Sequence, residues 1–156
     1  MITLALVRHA KSDWGDPELD DHERPLNDRG RRDAPRMARA LADTGFRPEI
    51  ILSSSAVRAR STARAFAEAL DVRVSVDPEL YGAPAGVLLT RAAGSRGRSV
   101  LVVAHDPGMS VLAARLSGDA IGHMPTCAVA TFRWYADDWD VATSLDPDEW
   151  TFDSPR

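Results

Sequence analysis

Apolar residues along the chain fall into two kinds of run. Residues 2–7 and 100–104 are almost continuously apolar, and residues 50–52 form a shorter run of the same kind. Runs this short and this uninterrupted predict strands covered on both faces. Between them the apolar positions recur at helical spacing. Ala34, Met37, Ala38 and Leu41 predict a helix capped by Asn27 or Asp28 and stopped at Thr44-Gly45. Ala59, Ala63, Phe66 and Leu70 predict a second helix, preceded by Ser53-Ser54-Ser55, whose hydroxyls are suited to capping it. Met109, Leu112, Ala113 and Leu116 predict another, opened by His105-Asp106-Pro107-Gly108. Val72, Val74 and Val76 alternate with polar residues as a strand, a weaker helix follows over residues 85–93, and residues 94–98 turn. Residues 127–135 read as a strand joined by a turn at 136–138 to a partner strand over 139–143. The tail after Asp146 carries no assignment.

Strands alternating with helices predict an α/β sandwich around a mostly parallel sheet, in which the loops at the carboxyl ends of the strands gather around a ligand. At 156 residues with 44% hydrophobic content, residues 1–156 are expected to form a single domain. The formal charge of -4 argues against nucleic acid as a partner. Cys127 is the one cysteine, so an intramolecular disulfide is excluded and a reducing cytoplasm is the expected setting. Residues 1–7 run straight into Arg8-His9 without a cleavage-site pattern, and no apolar stretch approaches the roughly 20 residues that cross a bilayer. Neither a signal peptide nor a membrane is expected.

The predicted strand ends are chemically loaded. The first delivers Arg8 and His9, the second the turn before Arg58, and the fourth His105. Two histidines and two arginines suit phosphoryl transfer, because a tetrahedral dianion needs cationic forks and an imidazole can attack phosphorus. Spacing alone leaves open whether His9 and His105 face one another. Arg60 and Arg64 are expected at the surface, and residues 20–23 as a solvated acidic loop that holds no metal. Trp134, Tyr135 and Trp139 are expected to pack the hairpin onto the sheet.

Leu6-Val7-Arg8-His9-Ala10-Lys11-Ser12 resembles the Arg-His-Gly signature of the histidine phosphatases, with Ala10 in place of the usual glycine. Residues 53–63 are similar to the family's second arginine motif, which matches Arg58 to the phosphate-binding arginine. Residues 102–110 resemble its second histidine motif, with Asp106 where asparagine is usual, and match His105 to the second catalytic histidine. The Arg-His-Ala-Lys-Ser opening and the stretch from Asp21 to Asn27 resemble the short, SixA-like phosphohistidine phosphatases. The resemblance covers residues 1 to about 139.

It implies a three-layer, phosphoglycerate-mutase-like α/β sandwich without a large lid subdomain, leaving an open, shallow site. It implies a metal-independent phosphatase without cofactor, with His9 as nucleophile and Arg8, Arg58 and His105 holding the phosphoryl oxygens. Lys11 and Ser12 are further candidate phosphate contacts. Glu79 is the positional candidate for a leaving-group acid, with a weak role or none in this branch. The implied substrate is phosphohistidine on a signalling or phosphotransfer protein. Two alternatives stay open: a phosphatase for small phosphate esters, which needs an effective acid, and a catalytically weak module that binds phosphorylated ligands. A mutase is disfavoured, since it needs an enclosed site.

Overall fold

The continuous apolar runs become the middle of one six-stranded sheet in the computed structural model, which describes residues 1–155. Its strands are β1 (Ile2–Arg8), β2 (Ile50–Ser53), β3 (Val74–Val76), β4 (Ser99–Ala104), β5 (Val129–Trp134) and β6 (Glu149–Asp153). The spatial order is β3-β2-β4-β1-β5-β6. Strands β3, β2, β4 and β1 are mutually parallel, whereas β5 runs antiparallel to β1 and β6 antiparallel to β5.

Alternation along the central strands feeds two cores, because successive side chains point to opposite faces. Leu4, Leu6, Val100 and Val102 face one layer, with Leu88, Met109, Leu112 and Phe132. That layer contains α3 (Ala85–Gly94), α4 (Gly108–Leu116) and α5 (Trp139–Thr143). Ala5, Val7, Ile51, Leu101 and Val103 face the other, against Ala34, Met37, Ala38, Ala63 and Phe66 of α1 (Asp28–Asp43) and α2 (Val57–Leu70). The architecture is therefore the three-layer, mostly parallel α/β sandwich expected, without a large lid. Among the described residues no helix is long and apolar enough to cross a membrane.

The helix signals hold in detail at α1, where the Asn27 side chain accepts from Gly30 N–H at 2.9 Å. Gly30 also lets the helix start approach the chain beyond His9: a Cβ there would stand 2.1 Å from the Lys11 carbonyl oxygen. At α2 the N-cap is Ala56, with no side-chain cap. Of the preceding serines, Ser54 accepts from Ala56 N–H at 3.2 Å, two residues ahead of the first position an N-cap side chain serves.

The expected strand over residues 139–143 is instead helix α5. Asp138 caps it, accepting from Val141 N–H at 2.9 Å, and the buried residues Trp139 and Ala142 are three apart, which is helical spacing. Trp139 Nε1–H donates to the Gly97 carbonyl at 2.6 Å, a partner out of reach of a strand paired beside β5. The residues pairing with β5 come from the unassigned tail as β6. Trp134 and Trp139 are buried as expected, but Tyr135 is 67% exposed and packs no core. Strand β3 is an edge strand that leaves Val72 outside it.

Candidate active site

Three backbone contacts extend the sheet just past its carboxyl edge and fix where the polar residues stand. His9 N–H donates to the Ala104 carbonyl at 3.1 Å, Ser54 N–H to Val103 at 3.0 Å, and Cys127 N–H to Arg8 at 3.0 Å. The segments after β1, β2 and β4 are thereby held side by side, and the His9 and His105 rings come to 5.0 Å between centroids. The juxtaposition that spacing left open is present. Both rings are largely buried, 7% and 6% exposed.

His9 Nδ1 lies 2.7 Å from the Ala10 carbonyl oxygen. A carbonyl only accepts, so Nδ1 carries the proton and Nε2 the lone pair. Burial is the main cause that pulls His9 down to about 3; the Ala10 hydrogen bond opposes it, while His105, Arg58 and Arg8 add to it. The ring is therefore neutral at physiological pH and has a free nucleophilic nitrogen. Thr62 ties this end to α2, accepting from Ala10 N–H at 3.0 Å and donating to the Arg58 carbonyl at 2.8 Å.

His105 is held by Ser54, whose Oγ lies 2.7 Å from Nε2. The hydroxyl accepts from Ala56 N–H and has one proton of its own; donated to Nε2, that proton leaves the ring proton on Nδ1, the arrangement we adopt. Burial lowers His105 to about 4, with Arg58 the next cause, so it too is neutral. Its Nδ1 is buried without a partner, as are Arg8 Nε and Arg58 Nε. The other two buried side-chain atoms without partners among the described residues, Arg29 Nε and Asp33 Oδ2, face each other at 3.5 Å. Unmet nitrogens thus concentrate on the three residues expected to hold phosphoryl oxygens, and an oxyanion between them would supply the acceptors they lack.

The arginines are fixed by acceptors behind them. Arg8 Nη1 donates to the Met124 carbonyl at 2.9 Å and lies 3.5 Å from Asp106 Oδ2. Asp106 also accepts from Ser110 N–H at 2.9 Å, so its place in the motif serves Arg8 and the start of α4. Arg58 Nη1 donates to the Asp21 carbonyl oxygen at 2.6 Å and Nη2 to Asp21 Oδ2 at 2.9 Å.

Asp21 corrects the reading of residues 20–23 as merely a solvated loop. Besides Arg58, it accepts from the Tyr81 hydroxyl at 2.6 Å and from Arg24 Nη2 at 3.0 Å. The Tyr81 hydroxyl, with Arg58 and Arg24, holds its carboxyl well below the usual carboxylate range, and Asp21 in turn raises the Tyr81 phenol. The Tyr81 ring stands edge-on to His22 at 4.9 Å and to His105 at 5.5 Å. His22 Nε2 lies 2.9 Å from Ser55 Oγ. Sequence reasoning gave no role to Asp21, His22, Tyr81, Ser54 or Thr62, although the motif resemblances ran through all of them but Tyr81; a further signal was Asp21 three residues before Arg24, the spacing of the ion pair they form.

The remaining candidates stand apart. Ser12 is buried and taken up by a hydrogen bond from Arg24 Nη1, while Lys11 is half-buried and its carbonyl accepts from Asn27 N–H. Glu79 is exposed on a 3-10 turn at Pro78–Leu80. Arg60 and Arg64 are exposed. Among the described residues, no cluster of three or more His, Cys, Asp or Glu is arranged to hold a metal ion.

Known proteins share the sequence pattern and the fold of this chain. The sequence profile of the histidine phosphatase superfamily (branch 1) matches residues 4–88. The chain is 30% identical to an uncharacterized chloroplastic protein of Arabidopsis thaliana, over 91% of this chain and 71% of that one. It is 34% identical to an uncharacterized protein of Mycobacterium tuberculosis, over 81% of this chain and 86% of that one. Among solved structures it superposes, with a TM-score of 0.82 and 28% identity, on a protein of Agrobacterium tumefaciens named as a candidate phosphohistidine phosphatase SixA. That match covers 99% of this chain and 98% of that one.

Proposed function

The chain belongs to the histidine phosphatase superfamily and has the fold of its SixA-like phosphatases, and from that premise we propose that it removes the phosphoryl group from phosphohistidine on a protein, without a metal, through His9. The observation that carries this reading is the pairing of a neutral His9, with Nε2 free, and three unmet nitrogens on Arg8, Arg58 and His105.

In the first step the Nε2 lone pair forms a bond to phosphorus while the P–N bond of the substrate breaks. A substrate ring protonated on its other nitrogen leaves as neutral imidazole, taking the bonding pair. Arg8 and Arg58 stay charged at any working pH and, with His105 Nδ1–H, bind the non-bridging oxygens as negative charge develops on them. Charge neutralisation of this kind is the task a metal performs elsewhere. Water then attacks phospho-His9, and its oxygen and both protons depart in dihydrogen phosphate, returning His9 to its starting tautomer.

The choice of substrate rests on the leaving group. An alkoxide needs a proton from the enzyme, and neither candidate carboxyl group is placed to supply one: Asp21 is held ionised, and Glu79 is exposed on its turn. An imidazole that carries its own proton needs none. The name of the Agrobacterium protein points the same way.

The test is phosphate release, with chelator present, from a phosphohistidine-bearing protein and from an aryl phosphate. Chelator-resistant release from phosphohistidine that is lost in His9→Ala is the expected result. Release only from the ester moves the substrate to small phosphates, and release from neither leaves a binding module.

A further inference from the structure

Residues 13–21 form a continuous exposed arc beside the site. The arc is anchored at both ends. Asp13 N–H donates to the Pro25 carbonyl at 2.8 Å, and Ser12 bridges to Leu26. At its far end Asp21 holds Arg58 and His22 meets Ser55. Arg24, itself buried, places its guanidinium 3.5 Å from the centroid of the Trp14 ring, a cation–π contact. Trp14 is nevertheless 71% exposed, and Leu19 of the same arc is exposed too. A large aromatic fixed in place by a buried arginine, with its outer surface bare, is the makeup of a contact anchor.

The charge of the arc is one-sided. Asp13, Asp16, Glu18 and Asp20 are all exposed, and Asp13 and Asp16 accept from backbone N–H groups of their own loop. A phosphoryl group approaching the buried histidines along this arc therefore passes charge of its own sign. A small, multiply anionic phosphate is repelled by that charge. A carrier surface with lysines or arginines around the phosphorylated side chain is attracted by it.

From the charge complementarity and the anchored tryptophan we infer that the 13–21 arc is a docking surface for a protein segment whose phosphohistidine is flanked by basic residues. The inference rests on the phosphohistidine reading and adds the partner's chemistry to it. Rim charges act chiefly on association and its salt dependence, and Trp14 on the lifetime of the complex.

The test uses two synthetic peptides, each with one phosphohistidine, flanked in one by lysines and in the other by glutamates. At about 10 mM salt, where screening extends to roughly 30 Å, kcat/KM for the lysine peptide is expected to be about tenfold higher. The gap closes toward about 1 M salt, where screening falls to roughly 3 Å. Asp16→Lys combined with Glu18→Lys removes or inverts the preference. Trp14→Ala lowers kcat/KM for both peptides about threefold to tenfold through KM. The kcat for p-nitrophenyl phosphate stays within about twofold in all variants, which reports an intact site. Equal turnover of both peptides at low salt, unaltered by the variants, overturns the docking surface. If neither peptide is turned over while p-nitrophenyl phosphate is, the phosphohistidine reading fails. The docking surface then stands or falls on whether the unphosphorylated lysine peptide inhibits aryl phosphate turnover by the wild type and not by the double variant.

Discussion

Ser54→Ala separates the chemical role of one hydroxyl from its structural role. In the wild type Ser54 Oγ accepts from Ala56 N–H and lies 2.7 Å from His105 Nε2. Removing it leaves a buried N–H at Ala56 and a buried ring nitrogen without partners. Together with the lost hydrogen bonds this costs about 2 kcal/mol of stability, which lowers Tm by roughly 4–8 °C in a domain of this size. The chemical effect is separate. Without Ser54 the His105 proton is no longer confined to Nδ1, the nitrogen that faces no acceptor in the resting site. A shift of about 1.4 kcal/mol in that tautomer balance lowers kcat about tenfold. The assay is kcat for an aryl phosphate well below Tm, beside thermal unfolding, in wild-type and His105→Ala backgrounds. In His105→Ala the serine change is expected to leave the residual kcat within about twofold, because the ring it acts through is gone. A full tenfold kcat loss in both backgrounds would refute the tautomer reasoning, as would unchanged kcat in the single variant.

Three further outcomes follow from the same geometry. Stability is expected to fall as pH drops below 6.5, because His9 and His105 are lowered to about 3 and 4 in the folded chain while the unfolded chain binds protons near 6.5. Each histidine contributes up to about 1.4 kcal/mol per pH unit in that window, and urea unfolding of His105→Gln should show the shallower dependence. Glu79→Gln is expected to leave kcat within about twofold for phosphohistidine and ester alike; a large loss on esters would restore the acid role. Gly30→Ala drives a Cβ to 2.1 Å from the Lys11 carbonyl oxygen, and the required backbone shift is expected to cost about 1–3 kcal/mol, read by denaturant unfolding.

The parts of the molecule that were legible in the sequence are those whose cause is local. Residues 2–7, Thr3 aside, and 100–104 are apolar because both faces of β1 and β4 are covered, so their ends could be placed and Arg8, His9 and His105 with them. Arg58 was legible only through the resemblance of residues 53–63 to the family's arginine motif, since periodicity does not separate it from Arg60 and Arg64 on the same helix. Asp21 was not, since its partners Arg58 and Tyr81 lie 37 and 60 residues away; only the packing of the loop onto α2 brings them together. Glu79 was drawn toward the site by its position after β3, but Asp77 caps the turn that carries it, accepting from Glu79 N–H at 3.1 Å, and the carboxylate ends at the surface. Helix α5 was mistaken for a strand because Trp139, Val141 and Thr143 have strand propensity, although the capping Asp138 was present. Capping and the i, i+3 burial of Trp139 and Ala142 outweighed that propensity.

The most direct measurement is to mix the protein with excess phosphohistidine-bearing protein, quench within milliseconds in alkali, and locate covalent phosphate by mass spectrometry and phosphorus NMR. Acid-labile phosphate on Nε2 of His9, absent from His9→Ala and decaying at the rate of phosphate release, is the predicted result. Phosphate on His105, or full turnover by His9→Ala, would contradict the account at its centre.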